Sequence, residues 1–167
     1  MAAKTLGLDL NSKRQRKLSD YPYKEDYRAR WNDNDMYHHV NNPVYGVLID
    51  SVINSYLISK CGYSTSEATQ IGLVGNSYCD FFGSAQYPGM LYIGLRVVKM
   101  GKSSLTYECG IFQEGSESVK AVGGFTQIWR ERKDYKPTAE GIPANIRQGL
   151  QPLLKGSEQG PSDQAKL

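Results

Sequence analysis

Tyr27, Ala29 and Trp31 alternate with the charged residues Arg28 and Arg30, which is the period of a half-buried strand. The period then changes. Val44, Leu48, Val52 and Leu57, with Tyr45, Ile49, Ile53 and Tyr56, recur at three- and four-residue spacing and predict a broad apolar stripe on a helix of about five turns. Asn41, Asn42 and Pro43 resemble a helix start, Pro fitting the first position, and Cys61-Gly62 supplies a stop. From there the chain turns extended. A long strand is expected over 71–82, a second carries Leu91, Ile93, Leu95 and Val97, and a third carries Leu105, Tyr107, Cys109 and Ile111. A last strand is expected over 121–132, and Pro88-Gly89, Gly101-Lys102-Ser103 and Glu114-Gly115-Ser116 mark the turns between them. The expected order is strand, long helix, then four strands in antiparallel succession. One helix covers one face of such a sheet, and a second copy of the chain is the simplest cover for the other face and the edges.

At 167 residues with 40% hydrophobic content, the chain fits one domain with a core of ordinary size. Residues 1–20 are polar and aperiodic and read as a flexible basic arm; 21–136 form the domain; 137–167 read as an extension, largely irregular or disordered. Within that extension, 146–154 is compatible with a short helix and 156–167 with a disordered tail. Lys13, Arg14, Arg16 and Lys17 in the arm are read as solvated, with a nuclear address or the steering of a phosphate-bearing ligand as alternatives.

The net charge of +3, from 20 basic and 17 acidic residues, gives no electrostatic case for nucleic-acid binding. Cys61, Cys79 and Cys109 are odd in number and irregularly spaced, which suits neither a disulfide framework nor a zinc site. No run approaches the roughly 18 apolar residues of a membrane span, and the N-terminus lacks the apolar core of a signal peptide. A cytoplasmic protein without membrane insertion is expected.

The candidate chemistry lies in residues 31–45, where Asp33, Asp35 and both histidines, His38 and His39, precede the helix start. A helix N-terminus leaves backbone N–H groups free to receive an electron-rich oxygen. A carboxylate beside it is ionised near neutral pH and can attack a carbonyl or accept a proton from water. Asp33 is expected to shape the turn, and Asn41 and Asn42 to serve as caps or substrate contacts. Adjacent histidines on a turn rarely point at one ion, so no metal is expected. No Walker-type phosphate loop is present; Arg96, Lys99, Lys102, Arg130 and Arg132 are strand-face residues within reach of a nucleotide or solvent.

Trp31-x-Asp33-x-Asp35-x-x-x-His39-Val40-Asn41-Asn42, followed by the apolar helix and by Gly101-Lys102-Ser103-Ser104 between long strands, resembles the hotdog-fold acyl-CoA thioesterases of the 4-hydroxybenzoyl-CoA thioesterase type. The resemblance spans residues from about 24 to 132 and implies an α+β hotdog fold, a five-stranded antiparallel sheet wrapped around one long central helix. It also implies a homodimer with the active site at the interface, with a tetramer as the alternative, and an acyl-CoA substrate with no cofactor beyond the coenzyme A of that substrate. By position, Asp35 is the catalytic carboxylate, as nucleophile or as base. Asn42 and its neighbours are the oxyanion-binding helix start, and His39 assists the carboxylate or orients water. Asn41 and Tyr45 are expected substrate contacts. His38 departs from relatives that often carry Gly there, and an imidazole at that place could narrow the pocket, bond the substrate or face solvent. A non-catalytic acyl-CoA binding module and a hotdog dehydratase are the competing readings.

Overall fold

The computed structural model describes residues 10–154, so the expected tail over 156–167 and residues 1–9 of the expected arm lie outside them. In chain order the elements are α1 (Leu10–Arg14), β1 (Tyr23–Arg28), α2 (Asn42–Cys61), β2 (Gln70–Phe81), β3 (Met90–Met100), β4 (Ser104–Gln113), β5 (Ala121–Glu131) and α3 (Ala144–Leu150). The five strands form one antiparallel sheet wrapped around α2, the hotdog arrangement.

The 3.6-residue period decides how α2 sits. Tyr45, Leu48, Ile49, Val52, Ile53, Tyr56 and Leu57 are all buried, and they pack against Leu91, Leu95, Leu105 and Ile111 from the middle strands. Each such aliphatic side chain contributes about 1.5–3 kcal/mol by leaving water. The helix stops at Gly62, whose φ of 64° places it in the left-handed region while its N–H donates to Leu57 O.

The strand order differs from a simple succession. It runs β1-β3-β4-β5-β2, so β2 pairs with β5 and the connection over 82–89 crosses the end of the sheet to reach β3. Local periodicity carries no information about partners, and that connection is too long for a hairpin. β1 also ends sooner than the alternation suggests. Asp33 Oδ2 accepts from Arg30 N–H at 2.7 Å and from Tyr27 O–H at 2.8 Å, folding residues 31–33 into a single 3-10 turn. Trp31 is thereby turned outward, 76% exposed, instead of continuing the buried row.

Part of the second face of the sheet is covered from within the chain. Residues 10–20, expected as part of a flexible and solvated arm, lie across it together with Tyr21. Tyr21 is buried in a saddle formed by Gly94 and Gly110, which face each other across β3 and β4; a Cβ on either would fall 2.5 Å from its ring. Its hydroxyl donates to Glu108 Oε1 at 3.2 Å, an oxygen that also meets Arg16 Nε at 3.1 Å and an Arg96 terminal nitrogen at 2.9 Å. Lys13 Nζ lies 2.5 Å from Asp80 Oδ2. Arg96 is therefore no solvated strand-face residue, and two of the arm's basic residues are tied to acids on the sheet. A small apolar cluster of Tyr21, Phe112, Val119 and Val122, with Leu18, Phe82 and Tyr92 at its edge, completes this layer.

At the other end of the chain, residues 137–154 of the expected extension pack onto the domain. Ile146, Leu150 and Leu153 are buried in the main core, Asn145 Nδ2 donates to Cys61 O at 2.9 Å, and Tyr56 O–H donates to Gly149 O at 2.9 Å. Ile146 and Leu150 give α3 an apolar face, Leu153 in the 3-10 turn that follows extends it, and the end of α2 receives α3.

Candidate functional site

The loop over 35–39 is closed on itself. Asp35 N–H donates to His39 O at 2.8 Å, while Asp35 Oδ1 accepts from Tyr37 N–H at 2.8 Å and His39 N–H at 3.2 Å. An Asn34–Val40 bridge seals its base. A short acidic side chain that bonds backbone two residues ahead is a turn former, and here it uses one oxygen to do so. Among the described residues, nothing meets the other oxygen, Oδ2.

This loop geometry accounts for His38. Its φ is +62°, the left-handed region where Gly is free and where Asn, Asp and His are the better-tolerated side chains. His38 is exposed and does not line the cavity described below. Consequently, His38→Gly should leave catalytic rates within about threefold, whereas His38→Val should cost about 1–2 kcal/mol of stability, the penalty of a branched side chain in that region. Denaturant unfolding and steady-state rates of the two variants check both expectations.

From Val40 the chain enters α2. Asn41 N–H donates to Asp33 O at 2.8 Å, which ties the helix start to the turn that Asp33 shapes. Asn41 occupies the cap position but its side chain makes no capping bond, and Pro43 is second in the helix rather than first. A missing N–H is harmless anywhere in the first turn. The Asn42 N–H has no acceptor among the described residues.

Asp35, His39, Val40, Asn42 and Tyr45 line one cavity of about 460 Å³ together with Phe81, Phe82, Gly83 and Ser84. That size is in the range of small-molecule sites. Of the candidate residues, Asp35, His39, Asn42 and Tyr45 are brought together here, and Asn41 and His38 are not. Tyr45 is 2% exposed; its hydroxyl accepts from Ala85 N–H at 3.3 Å and its ring meets Phe81 edge-on at 5.2 Å. Burial pushes its phenol up from the ordinary value, so it stays a neutral hydrogen-bonding group. Ala85 in turn accepts from Val40 N–H at 2.8 Å, joining the 82–89 connection to both the end of the 35–39 loop and the helix.

The wall over 81–84 is what sequence reading misses, because its first two residues look like the end of a strand. Its signal is local: two aromatics followed by Gly83 and Ser84, small residues that leave room beside them. The cysteines offer no competing nucleophile. Burial pushes the thiols of Cys61 and Cys79 up to about 11 and that of Cys109 well above its ordinary value, so all three are neutral thiols near pH 7. Among the described residues, no group of three or more His, Cys, Asp or Glu converges on a metal position, and no helix is long and apolar enough to cross a membrane.

Against known proteins, residues 37–120 match the family model described as the thioesterase superfamily. No curated protein sequence matches. Among solved structures, the PA5185 protein from Pseudomonas aeruginosa is 35% identical, with a TM-score of 0.79 over 85% of this chain and 98% of that one. A thioesterase from Thermus thermophilus complexed with coenzyme A and Zn is 23% identical, with a TM-score of 0.65 over 80% of this chain and 95% of that one. A 1,4-dihydroxy-2-naphthoyl-CoA thioesterase from Synechocystis is 15% identical, with a TM-score of 0.69 over 77% of this chain and 94% of that one.

Proposed function

The chain belongs to the thioesterase superfamily, and from that premise we propose that it hydrolyses an acyl-CoA thioester to a free carboxylic acid and coenzyme A. The observation that carries the reading is the pairing, in one cavity, of a carboxylate with a free oxygen and a helix N-terminus with a free N–H. Coenzyme A in the Thermus thermophilus structure supports the choice of thioester.

The chemistry follows from where charge develops. Attack on the thioester carbonyl puts negative charge on its oxygen, which the Asn42 N–H and the positive end of α2 stabilise. Asp35 Oδ2 serves as the base that takes a proton from attacking water, or as a nucleophile whose mixed anhydride, left when the C–S bond breaks, is hydrolysed by water to the acid and the free Asp35 carboxylate. The C–S bond then breaks, and the sulfur leaves as a thiolate that needs no strong acid behind it. Released protons pass to that thiolate and to solvent. His39, exposed at the cavity edge, orients the water, and Tyr45 shapes the acyl end of the site. In the homodimer that we also propose, β2 pairs with its copy: Leu73, Val74 and Phe81 are 39%, 51% and 46% exposed on this unpaired edge strand, an arrangement a lone sheet does not leave in water. A mass in solution of twice the chain, or four times it, is expected.

The test is a panel of acyl-CoA thioesters, straight-chain and aromatic, followed for free thiol and for enoyl absorbance. Thiol release with one acid formed per thiol is the expected result. A change in enoyl absorbance without thiol release would point to a dehydratase instead.

A further inference from the structure

The residues that fasten the N-terminal segment to the sheet are grouped behind one wall of the cavity. Lys13 Nζ sits 2.5 Å from Asp80 Oδ2 and 4.2 Å from the centre of the Tyr78 ring, with the Lys13 side chain only 6% exposed. The Arg14 guanidinium lies 5.7 Å from the Phe82 ring centre, and Phe82 also joins the apolar cluster around Tyr21. Asp80 and Phe82 flank Phe81, and successive residues of an extended chain face opposite sides. Phe81, although 46% exposed, meets Tyr45 edge-on on the cavity side, while its two neighbours are held from the opposite side. The backbone just beyond is pinned at a single acceptor: Phe82 N–H and Gly83 N–H both donate to Lys120 O, at 2.8 and 3.1 Å.

We propose that residues 10–21 form a strap whose Lys13 and Arg14 hold the 81–84 wall in place, so that the strap sets which acyl groups the cavity accepts. Lys13 and Arg14 act as positioning residues, since neither lines the cavity. An acyl group is discriminated by the fit of its methylenes against apolar walls, and a wall that drifts loses that discrimination before it loses the chemistry at Asp35. The specificity part of this inference rests on the thioesterase reading, and the mechanical part does not.

The test uses the full chain with Lys13→Met, which keeps the apolar stem and removes the charge, and with Lys13→Arg, which restores it. Arg14→Ala is the companion variant, because an exposed side chain can be removed without threatening the fold. Amide hydrogen exchange at Phe82 and Gly83 should quicken by at least about tenfold in Lys13→Met, with core amides such as Leu95 unchanged, and should return toward the wild-type rate in Lys13→Arg. Across acyl-CoA chain lengths, KM for the longest substrate relative to the shortest should move by at least about threefold while kcat holds. Arg14→Ala should shift both readouts in the same direction. Unchanged exchange at Phe82 and Gly83 in both variants would overturn the strap. Faster exchange with KM unaltered, or altered by one common factor for all substrates, would overturn its role in specificity. A wild type that hydrolyses no acyl-CoA would sink the thioesterase reading and the specificity role with it, and exchange would still decide the mechanical claim.

Discussion

Asp35→Asn is expected to lower kcat/KM for acyl-CoA hydrolysis by at least about a hundredfold, the scale of a missing catalytic base. The substitution keeps the shape of the side chain and removes its charge. Its amide oxygen can still accept from Tyr37 and His39 N–H, the two bonds that close the 35–39 loop, so the loop geometry should survive. What is lost is the carboxylate of a residue that lines the cavity. Substrate affinity should change little, because binding energy comes from the cavity walls and the coenzyme, and the loss should fall on kcat. A thermal midpoint near that of the wild type, measured beside the rates, separates this outcome from unfolding. Retention of full activity would remove Asp35 from the mechanism.

Glu108→Ala is expected to be the most damaging of the changes considered for stability, at about 3–5 kcal/mol, because it leaves two largely buried cations without their counter-charge. Glu108 is 0% exposed and one of its oxygens receives Arg16, Arg96 and the Tyr21 hydroxyl together. Its second oxygen and the Arg96 Nε already lack partners among the described residues, so the cluster has no spare acceptor to replace it. The loss should appear as a lower denaturant midpoint with an unaltered slope. Replacing Glu108 and Arg96 together by Leu and Met should recover much of the loss, since a buried ion pair contributes little beyond what apolar packing would. Equal destabilisation by the single and double variants would show that Arg96 is not the group left stranded.

How much of this was legible depended on the range of the interaction involved. The buried face of α2 could be read residue by residue, from Tyr45 to Leu57, because a helix repeats on a scale of three to four residues and its apolar stripe records the surface it meets. The strands were likewise visible in the alternation of Leu91 to Val97 and Leu105 to Ile111. Pairing was not: β2 lies beside β5, and no local pattern distinguishes that from a hairpin with β3. The strap was hidden for the same reason. Tyr21 finds its saddle at Gly94 and Gly110, far along the chain, and Lys13 reads as a solvated charge until Asp80 is placed beside it.

At the candidate site, the spacing of Asp35, His39 and Asn42 in one short segment before a helix was enough to bring them to one cavity. The segment folds mainly through its own backbone bonds, so sequence neighbours become spatial neighbours. Residues 81–84 come from another part of the chain and could be joined to the site only through the crossing of the 82–89 connection. His38 needed a backbone angle rather than a side-chain property: its φ of +62° supplies the reason Gly suits that place.

The most direct measurement is a single-turnover reaction with the protein in excess over an acyl-CoA that it binds, following bound thioester and free thiol in the same sample. One thiol should appear for each thioester consumed, with the acid as co-product and the protein returned unchanged. Saturable binding of an acyl-CoA that stays intact for hours, across the whole panel, would contradict hydrolysis and identify a binding module in its place.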